Sequence, residues 1–447
     1  MDELEKRVIG KVMRRLIPFL ILCYFVAYLD RVNVGFAKLH MNQALGLSEA
    51  AFGLGAGLFF IGYFLFEVPS NIFLERVGAR VWIARIMISW GIVSAAFAFI
   101  PNISSATGIS HEGVFYGLRL VLGACEAGFF PGIIFYLTLW FPALYRARVI
   151  SLFMLAIPIS SIIGSPISGM LLSVTGLGLE GWQWLFILEA LPSVLVGLGV
   201  LVYLTDFPRQ ARWLKQDEIE WLENVQATEK SNKEKVEHLS LLQSMTDVRI
   251  LLCALVYFCL NAASYGVAFF LPTIIKGFGV SDTQTGLLAA VPFVFGAIGM
   301  VLFGRHSDRT MERKGHVATA LAMAAIGIGI AGLIYHPGTA SNAVLVMALL
   351  CFAQIGVSSV PAMFWPLPAS FLSGASAAAG IAAINSLGNL SGFAGPYAMG
   401  YLKDMTGSFT PGLLLLAGCA VVGAAVVLSL RIDVRREQAA GGVVLAH

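Results

Sequence analysis

Long apolar runs alternate with short polar connections along the whole chain. Twelve such runs lie near 16–38, 52–74, 82–100, 113–139, 149–173, 184–206, 250–275, 284–303, 317–335, 341–364, 374–402 and 411–432. Each is close to the roughly 20 residues that a helix needs to cross a bilayer core. Strictly alternating segments of about ten residues, the mark of barrel strands, are missing, so the pattern predicts helical spans. One long polar stretch, 207–249, divides the runs into two sets of six. Within it, DFPRQARWLKQDEIEWL sets Trp213, Leu214, Ile219 and Leu222 among charges, as expected of an amphipathic linker lying on the membrane surface. The expected organisation is all-α and membrane-integral. It has an N-terminal six-helix bundle at 1–206, the linker at 207–249, and a C-terminal six-helix bundle at 250–447 ending in a short tail. Transporters built from repeated halves carry their site between them, near the midplane. A faint echo supports duplication: Leu74-Glu75-Arg76 after span 2 and Ser307-Asp308-Arg309 after span 8 place an acid before an arginine at the same point of each set.

Composition agrees. The chain is 58% hydrophobic and 12% charged, with a mean hydropathy of +0.81, whereas soluble domains carry about 25% charged residues. Charge also sets the topology. Of the 29 Lys and Arg, 24 fall in the amino terminus, loops 2–3, 4–5, 6–7 and 8–9, or the carboxyl terminus. Lys38, Lys276 and Lys403 lie on the opposite face, and Arg31 and Arg119 lie within spans. Lys/Arg bias marks the cytoplasmic side, so both termini are expected there. With the basic residues explained in this way, the net charge of +3 calls for no polyanionic partner and no nucleic acid. The first apolar run is too long for a signal-peptide core and is followed by no small-residue cleavage site. The six cysteines all fall in apolar runs without CxxC spacing, as small buried hydrophobes do.

Six Asp, Glu, Lys or Arg residues fall well inside spans: Asp30, Arg31, Glu67, Arg119, Glu126 and Glu189. All belong to the first set of six, and no histidine sits mid-span. Ionisable groups cost a few kcal/mol or more in hydrocarbon, so they face a bundle interior or a watery path and mark function by default. Pairing that merely holds helices together is the competing reading. With a rise of about 1.5 Å per residue, Asp30 and Arg31 lie about 20 Å along span 1, and Arg119 about 10 Å in from the other face on span 4. These three groups therefore share a depth. Glu126 follows Arg119 by seven residues, two turns on the same face. Two guanidiniums converging on a cavity suit a carboxylate-bearing substrate, which each can grip bidentately. Without substrate, Asp30 and Glu126 would offset them, and protonation of an acid would loosen its hold on arginine. This reading assigns substrate binding to Arg31 and Arg119 and proton coupling to Asp30 and Glu126.

Neutral groups fill out the site. Tyr28, three residues before Arg31, and Tyr63 are candidate hydroxyl donors. Spans 7–12 would supply Asn385 and Asn389, four apart on one helix face, and Trp365, with Asn261, Tyr265 and Gln354 as further candidates. Hydrogen bonding between helices is the alternative for these amides. Glu67 fits a structural pair, a gate contact or coupling equally, and Glu189 reads as structural. Glu75, Arg76, Arg80, Asp308 and Arg309 are expected to form gating contacts between loops on the basic face.

The chain resembles the major facilitator superfamily over essentially its whole length, and within it the anion:cation symporter family of bacterial tartrate, galactonate, phthalate and hydroxyphenylacetate permeases. The residues that carry this are YLDRVNVGFA, YFLFEVPSN, RLVLGACEAGFFPG, WFPALYRAR, DFPRQARWL, GRHSDR, FWPLPASFL and GIAAINSLGNLSGFAGPYAMGYLKDMTGS in their joint order. Asn71 stands where glycine is usual in the first loop motif, and Glu75 where aspartate is usual. The resemblance implies a twelve-helix major facilitator fold in two six-helix halves, in a bacterial inner membrane, acting as a monomer without cofactor or metal. It implies proton symport of a small organic anion by alternating access, with the matching Asp-Arg pair and the span-4 arginine and glutamate at work. An aromatic-acid symporter and an anion exchanger are the alternatives, and a transporter-like sensor a further one. The enzyme reading has no support in nucleotide-binding, HExxH or nucleophile–base motifs.

Overall fold

A computed structural model describes residues 3–233, 247–338, 340–371 and 374–430. The expected tail, part of the linker and the last residues of span 12 lie outside the described residues. Among the described residues, eleven helical segments are long and apolar enough to cross a membrane. Spans 1–6 are Glu3–Leu45, Glu49–Val77, Ala79–Thr107, His111–Trp140, Leu144–Leu171 and Gly181–Tyr203. Spans 7–10 are Val248–Lys276, Asp282–Thr310, Lys314–Ile334 and Ala343–Pro368, and span 12 is Thr410–Ser429. Span 11 is made of two consecutive helices, Gly374–Asn389 and Ser391–Thr406, which together cover the eleventh apolar run.

Local sequence explains where the helices stop. Gly46, in the left-handed region at φ 68°, ends span 1, and the Ser48 hydroxyl accepts from the Ala51 amide at 3.0 Å to start span 2. Ser281 and Gln284 cap the start of span 8 reciprocally. Several spans that read as continuous are interrupted. Span 1 breaks at Asn33, span 4 at Ala127 and Gly128, span 5 at Leu155, span 10 at Trp365 and span 11 at Leu390. At Gly128 the backbone takes φ 84°, and an added Cβ would lie 2.7 Å from the Ser70 Cβ. That conformation and that approach both require glycine.

The two six-helix halves meet on the face away from the termini. Span 2 runs against span 11, and span 5 against span 8. A Cβ on Gly169 would come within 2.6 Å of the Asp282 carbonyl and 2.7 Å of Gly286 Cα, so the backbones of spans 5 and 8 touch. Polar bonds tie the same face. The Asp404 carboxylate accepts from the Glu49 and Ala50 amides at 3.1 and 2.7 Å, capping span 2 from the other half. His40 Nε2 lies 3.0 Å from Asp282 Oδ2. Lys38 Nζ, buried between the rings of Phe52, Phe270 and Phe409, donates to Thr273 Oγ1 at 3.0 Å and pairs with Glu49 at 2.6 Å. Towards the basic face the contact is lost: Phe64, Leu65, Phe66, Val68, Ile72 and Phe73 of span 2 are exposed.

The linker is more firmly held than a solvated strap. Its helix Gln216–Lys233 buries Glu218 and Leu222, and Arg7 and Lys11 of the first helix reach Glu218 at 3.2 and 2.8 Å. Cys23, Cys253, Cys259 and Cys351 are buried thiols, and Cys125 and Cys419 are half-buried.

Candidate functional site

Asp30 and Arg31 are neighbours, and the helical step of about 100° sends them to different partners. Asp30 points into the packing of spans 3 and 6. Its carboxylate accepts from Trp90 Nε1 and from the Ser94 hydroxyl, both at 3.1 Å, and from the Ser193 hydroxyl. It is 2% exposed. The expected offset of an arginine by Asp30 is therefore not how the carboxylate is used; three neutral donors satisfy it instead.

Arg31 turns the other way and forms an ion pair with Glu126, the last residue before the break in span 4. Its guanidinium carbon lies 5.8, 5.4 and 5.7 Å from the ring centroids of Tyr28, Phe59 and Tyr63, a cation–π enclosure. The side chain keeps 11% exposure. Arg119 is placed differently. It is buried, donating from Nε to the Gly55 carbonyl at 3.2 Å and from an Nη to the Ala56 carbonyl at 3.1 Å, with its guanidinium 5.1 Å from the Phe59 ring. The two arginines thus flank the Phe59 ring at one depth, with Arg31 the more accessible.

Spans 7, 10 and 11 bring a polar, aromatic cluster up to this pair. Asn261 donates to Asn389 at 3.3 Å. Tyr257 stacks on Phe364 at 5.6 Å and lies 5.0 Å from Trp365, at the break in span 10. Tyr257 and Tyr265 are within electrostatic reach of Arg31. Asn385 is half-buried one turn before Asn389, and Gln354 donates to Ser358 on its own helix at 3.0 Å. Arg31, Glu126, Trp365 and Asn389 each lie at or within two residues of a helix interruption.

Glu67 is half-buried. Glu189 is buried and accepts from Ser168 at 2.6 Å, one turn from Ser193 on span 6. The gating candidates stay within their own halves in the described contacts. The Arg80 amide donates to Asp206 at 2.8 Å, Asp308 pairs with Arg313 at 2.7 Å, and Glu75, Arg76 and Arg309 are exposed. Phe59, Trp90, Ser94, Ser193 and Tyr257 were not anticipated. Phe59 had a signal, being four residues before Tyr63 on the same face; the others are defined only by packing between distant spans.

The sequence model of the Major Facilitator Superfamily matches residues 20–396. A protein of Agrobacterium vitis named "Putative tartrate transporter" is 51% identical over 430 residues, covering 96% of both chains. The "Inner membrane transport protein RhmT" of Escherichia coli K12 is 38% identical over 431 residues, covering 95% of this chain and 96% of that protein. Among solved structures, the inward-open xylose transporter XylE of Escherichia coli aligns with a TM-score of 0.75 at 14% identity, covering 96% of this chain and 99% of that one. The match of the family model, the two six-helix halves and the relatives agree, and the chain belongs to the Major Facilitator Superfamily and is a multi-pass membrane transporter.

Proposed function

We propose that the protein is a proton symporter that takes up a small organic carboxylate, a tartrate-like dicarboxylate or a sugar acid, by alternating access. The observation that carries this is the Arg31–Glu126 pair inside its aromatic enclosure. A buried guanidinium held by a carboxylate that can be protonated is a site where a substrate carboxylate can replace the resident one. A proton added to Glu126 cancels its charge, frees the fork of Arg31, and lets the substrate take the vacated position. Loss of that proton towards the other side restores the pair and releases the anion. Asp30, satisfied by three donors, serves as the second proton-coupling carboxylate, and Arg119 fixes the position of span 2 and adds positive potential. Relatives named for tartrate at 51% and 49% identity support the substrate class.

On this reading the basic face is cytoplasmic, the membrane is the bacterial inner membrane, residues 1–206 and 250–447 are the moving units, and the closed face is external. The conformation is inward-facing, the loops carrying Glu75, Arg76, Arg80, Asp308 and Arg309 would meet in the outward-facing state, and one chain suffices for transport. A second reading, an aromatic acid as substrate, is favoured by the rings of Tyr257, Phe364 and Trp365 beside the pair.

The test is uptake of labelled tartrate into proteoliposomes with an inward proton gradient and with that gradient collapsed, in competition with galactonate, phthalate and hydroxyphenylacetate. Gradient-driven uptake that Glu126→Gln abolishes, with tartrate exchange retained, is the expected result. Gradient-independent uptake would replace symport by exchange, and competition by phthalate alone would move the substrate to the aromatic acids.

A further inference from the structure

A second site lies far from the first, on the basic face. A cavity of about 600 Å³ is lined by Lys6, Arg7, Gly10, Lys11, Arg14 and Arg15 of the first helix together with Tyr203 and Trp213. Positive-inside bias accounts for the side on which these cations lie but not for their collection around one hollow. The linker acids do not neutralise it. Arg7 pairs with Asp217 and Glu218, and Lys11 with Glu218, whereas Lys6, Arg14 and Arg15 form no ion pair among the described residues. Arg15 is shaped as a receptor group. Its guanidinium carbon lies 4.6 Å from the Tyr203 ring and 5.5 Å from the Trp213 ring, and its buried Nε has no hydrogen-bond partner. The floor is rigid: Trp213 stacks on Trp140 at 5.5 Å, Tyr203 packs on Phe19 at 4.5 Å, and the Tyr203 hydroxyl donates to the Arg15 carbonyl at 3.0 Å.

The chemistry that matches three unpaired cations around an aromatic floor is a phosphate ester. What lies below the hollow identifies the source. Arg14, Pro18 and Leu22 follow one another at helical spacing on the exposed side of span 1, with Leu22 43% exposed. Beside them, Leu198 and Val202 of span 6 are 49% and 89% exposed, and a Cβ on Gly199 would meet the Phe19 ring at 3.7 Å, so spans 1 and 6 run side by side there with only a hydrogen on the glycine. A polar hollow thus opens onto an apolar slot running into the hydrocarbon. We propose that this pocket binds the phosphate head group of an anionic phospholipid, whose acyl chains lie in the slot between spans 1 and 6. The lipid holds the first helix, the end of span 6 and the linker at Trp213 to the membrane surface. Basic pockets between spans on the cytoplasmic side are suited to such head groups.

The experiment is native mass spectrometry of the delipidated full chain titrated with phosphatidylglycerol or phosphatidylcholine, with and without excess inorganic phosphate. Phosphatidylglycerol is expected to be retained in preference to phosphatidylcholine. Replacing Lys6→Gln, Arg14→Gln and Arg15→Gln together is expected to weaken retention on the order of a hundredfold, at about fivefold per charge near an anionic surface. The charge-matched set Arg209→Gln, Arg212→Gln and Lys215→Gln, outside the lining, is expected to leave retention unchanged. Arg14→Gln alone, at an exposed position, gives the same test should the triple variant fail to fold, with about a fivefold loss. Equal retention of the two lipids, or equal loss in both triple sets, would overturn the site. Displacement of the lipid by inorganic phosphate would overturn the lipid and leave a soluble phosphate compound as its ligand.

Discussion

Arg31 and Arg119 carry the same charge on facing helices, but the first is held by a carboxylate and the second by main-chain carbonyls. Replacing them should therefore give different losses. Arg31→Ala removes the group that exchanges partners, and truncating a buried charge pair costs about 2–5 kcal/mol, so tartrate uptake should fall at least about thirtyfold. Its thermal unfolding temperature in detergent should fall by less than that of Arg119→Ala, because a proton taken up by Glu126 relieves the charge left unpaired. Arg119→Ala opens a void against Phe59 and Phe269, a change that costs about 2–5 kcal/mol in packed cores, so unfolding temperature and uptake should fall together. Equal stability losses in the two variants would contradict this division. The four groups were legible in the sequence because charges inside apolar runs stand out, and the common depth of Asp30, Arg31 and Arg119 followed from helical rise. The split between Asp30 and Arg31 was not, because Trp90, Ser94 and Ser193 are supplied by spans 3 and 6 with no local mark.

At the level of elements, the interruptions are the informative feature. The apolar runs located all twelve spans, yet the breaks at Asn33, Leu155 and Leu390 carry no proline or glycine at the break and could not be read. The closed face rests instead on glycine: a Cβ at Gly286 would meet Gly169 Cα at 2.9 Å. Gly286→Val should push spans 5 and 8 apart and shift the population towards opening on that face, seen as faster thiol labelling of Thr273→Cys. Unchanged labelling would show that the contact is not what keeps the face shut. The linker helix has its own signature. Burial raises the Glu218 carboxyl, but Lys11 and Arg7 outweigh burial and hold it below its ordinary 4.5. Docking is thus fully stabilised above that value and weakens as pH falls below it. Hydrogen-exchange protection of residues 216–228, taken relative to the intrinsic rate at each pH, should fall in acid, and Glu218→Gln should remove that pH dependence.

For the whole molecule, the polar bonds across the closed face predict a lock. With His40→Cys and Asp282→Cys together, a short bis-methanethiosulfonate cross-linker, whose reach matches the two replaced side chains, should join the halves and stop uptake, and reduction should restore it; the native thiols are buried or half-buried and give little background. Continued transport in the cross-linked protein would mean that this face need not open. A different consequence follows from where the charges are. Spans 7–12 hold no Asp, Glu, Lys or Arg well inside the membrane. A charge that crosses 100 mV of membrane potential changes the energy of the system by about 2.3 kcal/mol. One half of the transporter can therefore rock through the field at almost no electrical cost. The voltage sensitivity of the cycle is then written in spans 1, 2, 4 and 6 and in the charge of the cargo they hold.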